Sequence, residues 1–300
     1  MDIGRELIQG SIDLHVHAGP DIVMRKYTDV QLARQYQQAG MSGYVSKCHH
    51  GDTSARAAVV SEMVPSVKVY GGIVLNDAVG GLNEAAVYAC GKMGGRIVWF
   101  PTVDAFCDAE YKKDHSNEHL GGGNEQPGRS RKIRIMDENR KLIPEVYPVL
   151  KQIQEQDMIL ATGHLSPSES LALLKAAASM GVRRMIVSHV SFPITNADLS
   201  LQQEYLACGA MLEHCFYTPY YGMCSWEEIL KSIKKAGADR ILLSSDLGQI
   251  KSPDPAEGMK MFAKKLYESG ISEKEIRQMM VKNPKELLGM LLKPDMVVIL

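Results

Sequence analysis

The stretch Ser11 to Asp21, SIDLHVHAGPD, carries two histidines two residues apart, His15 and His17. In an extended strand both imidazoles point to one face, which is a chelating arrangement. Such a pair is equally compatible with ordinary packing, so its meaning depends on partners elsewhere in the chain. Three further runs supply them: ILATG leads into His164, MIVS into His189 and ILLSS into Asp246. Each is a short apolar segment followed at once by a side chain able to hold a metal. Four imidazoles and a carboxylate form a nitrogen and oxygen donor set that suits zinc best, and manganese, iron or nickel also accept such ligands.

Bringing together residues so far apart in sequence requires a scaffold in which several strands end at one place, and the rest of the chain reads as one. Thr28-Asp29-Val30-Gln31 fits a capping box that opens a helix running to Ala39 and stopping at Gly40. Gly43 to Cys48 is a buried strand, followed by a helix from about Thr53 to Met63 and a third strand, Val67 to Leu75. Asn83 caps the next helix, and Arg96 to Thr102 is the fourth strand. The rhythm breaks over 103–143, a polar insertion with Gly121 to Gly123 and a short strand-like pair around Asp137-Glu138-Asn139. It resumes with a helix from about Pro144 to Gln156 and a strand at Met158 to Gly163. Ser166-Pro167-Ser168-Glu169 caps a helix ending at Gly181. Strands at Arg184 to His189, Ala210 to Phe216 and Arg240 to Ser245 complete the series, separated by a helix near Ser200 to Cys208 and one capped at Ser225.

Eight strands alternating with helices predict an α/β chain forming one (β/α)8 TIM barrel over 1–300. It has an insertion after strand 4 and extra C-terminal helices. A doubly wound open sheet is the alternative. In a barrel, active sites lie at the C-terminal ends of the strands, and that is where His15, His17, His164, His189 and Asp246 stand.

With this pattern the chain resembles the amidohydrolase superfamily, whose barrels carry H-x-H after strand 1, single histidines after strands 5 and 6, and an aspartate after strand 8. The segment NPKELLG, Asn283 to Gly289, is similar to that family's closing NPA-x-x-LG. The resemblance implies that His15, His17 and Asp246 hold one divalent metal, and that His164 and His189 hold a second. It implies a metal-dependent hydrolase in which a water acidified by the metal attacks a small amide, cyclic amide or ester. Asp246 would then take the proton and pass it to the leaving group. A decarboxylase or other lyase of the same superfamily, and a non-catalytic metal-binding barrel, are the alternatives.

One position departs from the family pattern. Binuclear members bridge their metals with a carboxylated Lys or a Glu after strand 4, whereas this strand ends Trp99-Phe100-Pro101-Thr102. Lys47, at the end of strand 2, is the candidate replacement, carbamylated to bridge two metals; the other reading makes it a cation that binds an anionic substrate. His49, on the same face as Lys47, is a second candidate. Without a bridge the site holds one metal.

Composition bounds the remaining classes. The 300 residues, 45% hydrophobic and 23% charged with a formal net charge of −1, contain no long basic block for nucleic acid or an anionic membrane. No apolar run reaches the ~18 residues of a membrane span. Six cysteines without a C-x-x-C point to reduced thiols and a cytoplasmic location. The expected partners are a small-molecule substrate and, if the chain self-associates, other copies of itself. Arg25, His49, His214 and Gln249 are the substrate-binding candidates. Arg25 would pair with a substrate carboxylate, and of Glu213 and His214 one must face the barrel. In the insertion, His115-x-x-x-His119 has helical metal-binding spacing, and Arg129, Arg131, Lys132 and Arg134 could make a lid that attracts anions.

Overall fold

The computed structural model describes residues 2–115 and 132–290. Within them the apolar runs form nine parallel strands: β1 (Ile12–His17), β2 (Gly43–Lys47), β3 (Lys68–Tyr70), β4 (Gly72–Val74), β5 (Ile97–Trp99), β6 (Ile159–Ala161), β7 (Met185–Val187), β8 (Met211–Cys215) and β9 (Ile241–Ser244). Hydrogen bonding orders them as β1-β2-β3 and β4-β5-β6-β7-β8-β9. The two sets meet at Gly71, so β3 and β4 are one barrel strand with a break. A Cβ on Gly71 would lie 2.3 Å from Ser54 Cα, so only glycine lets the helix Ser54–Met63 start against the strand. The ring closes between the last strand and the first. Val16 bridges Leu247 in parallel, His17 N–H donates to Leu247 O at 2.8 Å, and Asp246 N–H donates to His15 O at 2.7 Å. The result is an eight-stranded α/β barrel, with the third strand interrupted.

Two apolar layers hold it. Ile12, Leu14, Val45, Val74, Ile97, Trp99, Ile159, Ala161, Ile186 and Leu242 fill the barrel interior, with Leu287 and Leu288 packed on the same cluster. Leu32, Tyr36, Val98, Leu150, Leu160, Leu174, Leu212, Ile233, Leu243 and Phe262 form part of the layer between strands and helices. The capping boxes expected at Thr28, Ser166 and Ser225 are present, each opening its helix: Asp29–Ala39, Pro167–Ser179 and Trp226–Ala236.

The phase of β1 matters for the site. Leu14 belongs to the interior cluster, yet His15 and His17 also reach the site. A register shift between Asp13 and Val16 against β2 changes the alternation partway along the strand. Asp13 is turned outward, where it accepts from Tyr36 O–H at 2.7 Å and from Ser245 N–H at 3.0 Å; burial raises its carboxyl to a pKa of about 6. Tyr36 is fully buried, so Tyr36→Phe leaves a carboxylate oxygen short of a donor in a dry site. We expect a loss of about 1–3 kcal/mol, read as a lower urea midpoint with an unchanged m-value.

The insertion differs from expectation in one respect. It contains a helix, Phe106–Asp114, ahead of the strand-like pair, which is reduced to a single antiparallel bridge between Met136 and Leu142. Short helices at Ile3–Leu7 and Tyr217–Tyr220 are likewise unforeseen. The chain then runs through Pro255–Glu268, Glu273–Arg277, a π-helical turn at Gln278–Lys282 and Asn283–Leu287. His119, Gly121 to Gly123, Arg129, Arg131 and the apolar tail lie outside the described residues. All six cysteines are free. Among the described residues no helix is long and apolar enough to cross a membrane.

Candidate metal centre

The strand ends converge at the C-terminal mouth. His15 Nε2 and His17 Nε2 lie 3.2 and 3.1 Å from the same oxygen, Asp246 Oδ1, and His189 Nδ1 lies 3.9 Å from Oδ2. His15 and His189 are in edge contact, with ring centroids 4.6 Å apart, and His164 is 5.3 Å from His189. His189 and Asp246 both have left-handed backbone, φ 48° and 52°, which non-glycine residues seldom adopt and which recurs at functional sites.

Each of three histidines has its other ring nitrogen engaged. His15 Nδ1 contacts Glu213 Oε2 at 3.1 Å, His17 Nδ1 donates to Lys47 O at 3.0 Å, and His164 Nδ1 pairs with Asp108 Oδ1 at 2.8 Å. An acceptor at Nδ1 fixes the tautomer and leaves Nε2 with a bare lone pair, as in metal-binding histidines generally. His189 differs: it is buried, and among the described residues neither ring nitrogen has a hydrogen-bond partner.

The electrostatics follow from burial. Burial and the Arg25 charge hold His17 down to about 3 despite Asp246, so this ring is neutral and its Nε2 lone pair faces a carboxylate oxygen. Burial presses His189 and His49 well below the ordinary histidine range, the Lys47 charge adding to it for His49, and burial also lowers His164. At His15, burial and Lys47 oppose Glu213 and Asp246, and the carboxylates prevail, raising its pKa. Burial alone would raise Asp246, but its surroundings of His15, His189 and His17 hold its carboxyl well below the carboxylate range. A neutral imidazole lone pair and an ionised carboxylate 3.1 Å apart repel unless a cation lies between them. That repulsion and the orphaned nitrogens of His189 are what a divalent metal would relieve, so the donor set fits one. The ligand atoms of His15, His17 and Asp246 all lie within 4.8 Å of one another.

Lys47 is fully buried at the centre of this group. Its Nζ is 2.8 Å from His15 Nε2 and 5.5 Å from the centroid of Trp99, the inward residue at the end of β5 where a bridging acid is missing. Burial lowers its pKa. His49 stacks on His17 at 4.8 Å and pairs through Nδ1 with Thr102 Oγ1 at 2.8 Å. Arg25 lies at the rim, bonded to Asp21.

Two expected substrate contacts take other roles. His214 points out of the barrel, between Ser191 Oγ at 3.0 Å and Ser232 Oγ at 2.9 Å, so it is a packing residue of the outer layer. Alternation along β8 turns Glu213 inward instead, together with Cys215, whose Sγ is 3.7 Å from His15 Nδ1. Gln249 closes its own loop, donating to Asp246 O and accepting from Ser252 Oγ. Asp108 escaped sequence reasoning altogether, since its helix lies in the polar insertion. Lys112 Nζ holds its second oxygen at 2.6 Å.

Residues 10–213 match the family model described as Family of unknown function (DUF6282). The chain belongs to this family. The match spans every candidate ligand of the DUF6282 chain except Asp246. No curated protein sequence matches it. Solved structures match over nearly the whole length. An amidohydrolase from Pseudomonas aeruginosa superposes with a TM-score of 0.63 at 12% identity, covering 95% of this chain and 98% of that one. A probable dipeptidase from Pseudomonas aeruginosa gives 0.62 at 12%, covering 96% of each. The 2,6-dihydroxybenzoate decarboxylase from Rhizobium gives 0.58 at 12%, covering 94% and 99%. At such identities the likeness is one of fold: the chain shares the TIM-barrel fold of these structures.

Proposed function

We propose that this protein is a metal-dependent hydrolase acting on a small amide, cyclic amide or ester. The observation that carries the reading is the convergence of His15 Nε2 and His17 Nε2 on Asp246 Oδ1, with each Nδ1 already engaged. A divalent metal held there, zinc by preference, would polarise a carbonyl and lower the pKa of a water towards ~7. Asp246 keeps Oδ2 clear of His15 and His17, so this oxygen accepts the proton of the attacking water and returns it to the leaving group. Glu213 and the Lys47 carbonyl hold the two rings in register, and the buried walls limit competing water. His164 and His189 would hold a second metal if the site takes two.

Lys47 decides how many metals the site holds. As an amine it donates towards His15 Nε2, the lone pair that a metal would use. As a carbamate it would present oxygens instead and could bridge two ions. The single-metal form suits the second reading, a decarboxylase, for which the absence of an acid at the end of β5 speaks. The test is the metal content of protein purified without added metal, followed by a screen of amides, lactones and phosphoesters. We expect one or two divalent ions per chain and water-dependent turnover that is lost on chelation and restored by metal. Turnover that survives complete removal of metal would refute the proposal, and carbon dioxide release without water incorporation would select the decarboxylase.

A further inference from the structure

The loop after β1 carries a charged side chain that the protein satisfies only on one edge. Arg25 is buried, its side chain 1% exposed, and its Nε donates to Asp21 Oδ2 at 2.8 Å. Nη2 is buried without a hydrogen-bond partner among the described residues. The Asp21 side chain is itself buried; its Oδ1 accepts from Val23 N–H at 3.5 Å and lies 3.7 Å from His50 Nδ1, while its Oδ2 fixes the guanidinium by its Nε edge. A buried guanidinium nitrogen left without an acceptor is costly, and a folded chain seldom keeps one unless something else fills the position.

The position is at the mouth of the site. The backbone of Arg25 bridges that of Gln249, three residues beyond Asp246, and Lys26 N–H donates to Gly248 O at 2.8 Å. The Arg25 charge lies close enough to depress both His17 and His49. Lys47, the other buried cation, is deeper, engaged with His15 and lying over Trp99. An anionic group entering the mouth therefore meets Arg25, while the atoms to be broken lie over the histidines.

We propose that Arg25, oriented by Asp21 through Nε, uses its unpartnered Nη2 to bind an oxyanion of the substrate, a carboxylate or a phosphate group. The substrate is then an acid: an amide, cyclic amide or ester carrying that anion beside the reacting bond. A guanidinium donates to such groups with charge-assisted bonds and favours them over a neutral amide. The inference rests on the mouth being the substrate site, and its test reads binding without turnover.

Protein labelled with 15N-arginine is titrated with acetate, with inorganic phosphate, and with acetamide as the neutral counterpart of acetate. The Nε resonance that disappears in Arg25→Gln should move saturably with acetate or phosphate, at least about tenfold more tightly than with acetamide. The tighter of the two anions identifies the oxyanion. A resonance that neither anion moves, or that acetamide moves equally well, overturns the proposal. If Arg25→Gln does not fold, Arg25→Lys removes the same resonance while keeping the charge, so the assignment survives. A protein that binds acetate at Arg25 yet hydrolyses nothing would refute the hydrolase reading and leave this one standing.

Discussion

Asp246→Asn should lower turnover by about 10²- to 10⁴-fold, the usual contribution of a positioned acid and base, while metal is retained at least in part. The two consequences separate because the residue has two jobs at different atoms. Oδ1 faces His15 and His17 Nε2, and an amide oxygen can still occupy that place. Oδ2 carries the proton, and an amide has no equivalent. The substitution is also mild for the fold. Asp246 has φ 52°, and asparagine is one of the few residues that adopt left-handed backbone readily. Circular dichroism and melting temperature should therefore stay close to those of the unsubstituted protein. Steady-state kinetics on whichever substrate the screen identifies, with metal content measured on the same sample, decides the point: a near-native rate with metal bound removes Asp246 from the chemistry.

The barrel was legible because its signals are local. A parallel strand buried on both faces is a short apolar run, a helix start is a capping box, and both survive in one dimension. The break at Gly71 was not, because it arises from the close approach of Ser54, a contact between separate elements. The shift in β1 lies between these cases. Alternation from Leu14 would turn His15 away from the interior, yet H-x-H still reads as a pair because residues two apart share a face beyond the shift.

The site was legible where a ligand stands directly after an apolar run, as His164, His189 and Asp246 do. It was not legible where the role is set by what lies opposite. Glu213 and His214 are adjacent and both polar. Their partners show which one faces the barrel: Glu213 meets His15 and Ser244, and His214 meets Ser191 and Ser232. Lys47 is legible by its position at a strand end, but its contact with His15 Nε2 joins two strands and is set by the tertiary fold. Asp108 carries no sequence signal. It sits in a polar helix where Glu110 pairs with Lys113 and Lys132 as on any solvated surface.

Asp108→Asn should act through the tautomer of His164. The Asp108 carboxylate accepts from His164 Nδ1 at 2.8 Å, which keeps the proton on Nδ1 and the lone pair on Nε2. An asparagine can present its NH2 group there instead, accept the reverse tautomer, and put the proton on the nitrogen that should bind metal. We expect affinity at the His164 and His189 position to fall about 10- to 100-fold, the usual effect of removing a histidine's orienting partner, while occupancy at His15, His17 and Asp246 is unchanged. Lys112→Ala is the control: Lys112 Nζ pairs with the other oxygen, at 2.6 Å, and is itself a quarter exposed, so its loss leaves the His164 tautomer as it was. Metal titration of the two variants, with stoichiometry resolved, reads the difference. Equal affinity in Asp108→Asn and the unsubstituted protein would mean that His164 holds no metal, leaving a single ion on the β1 pair.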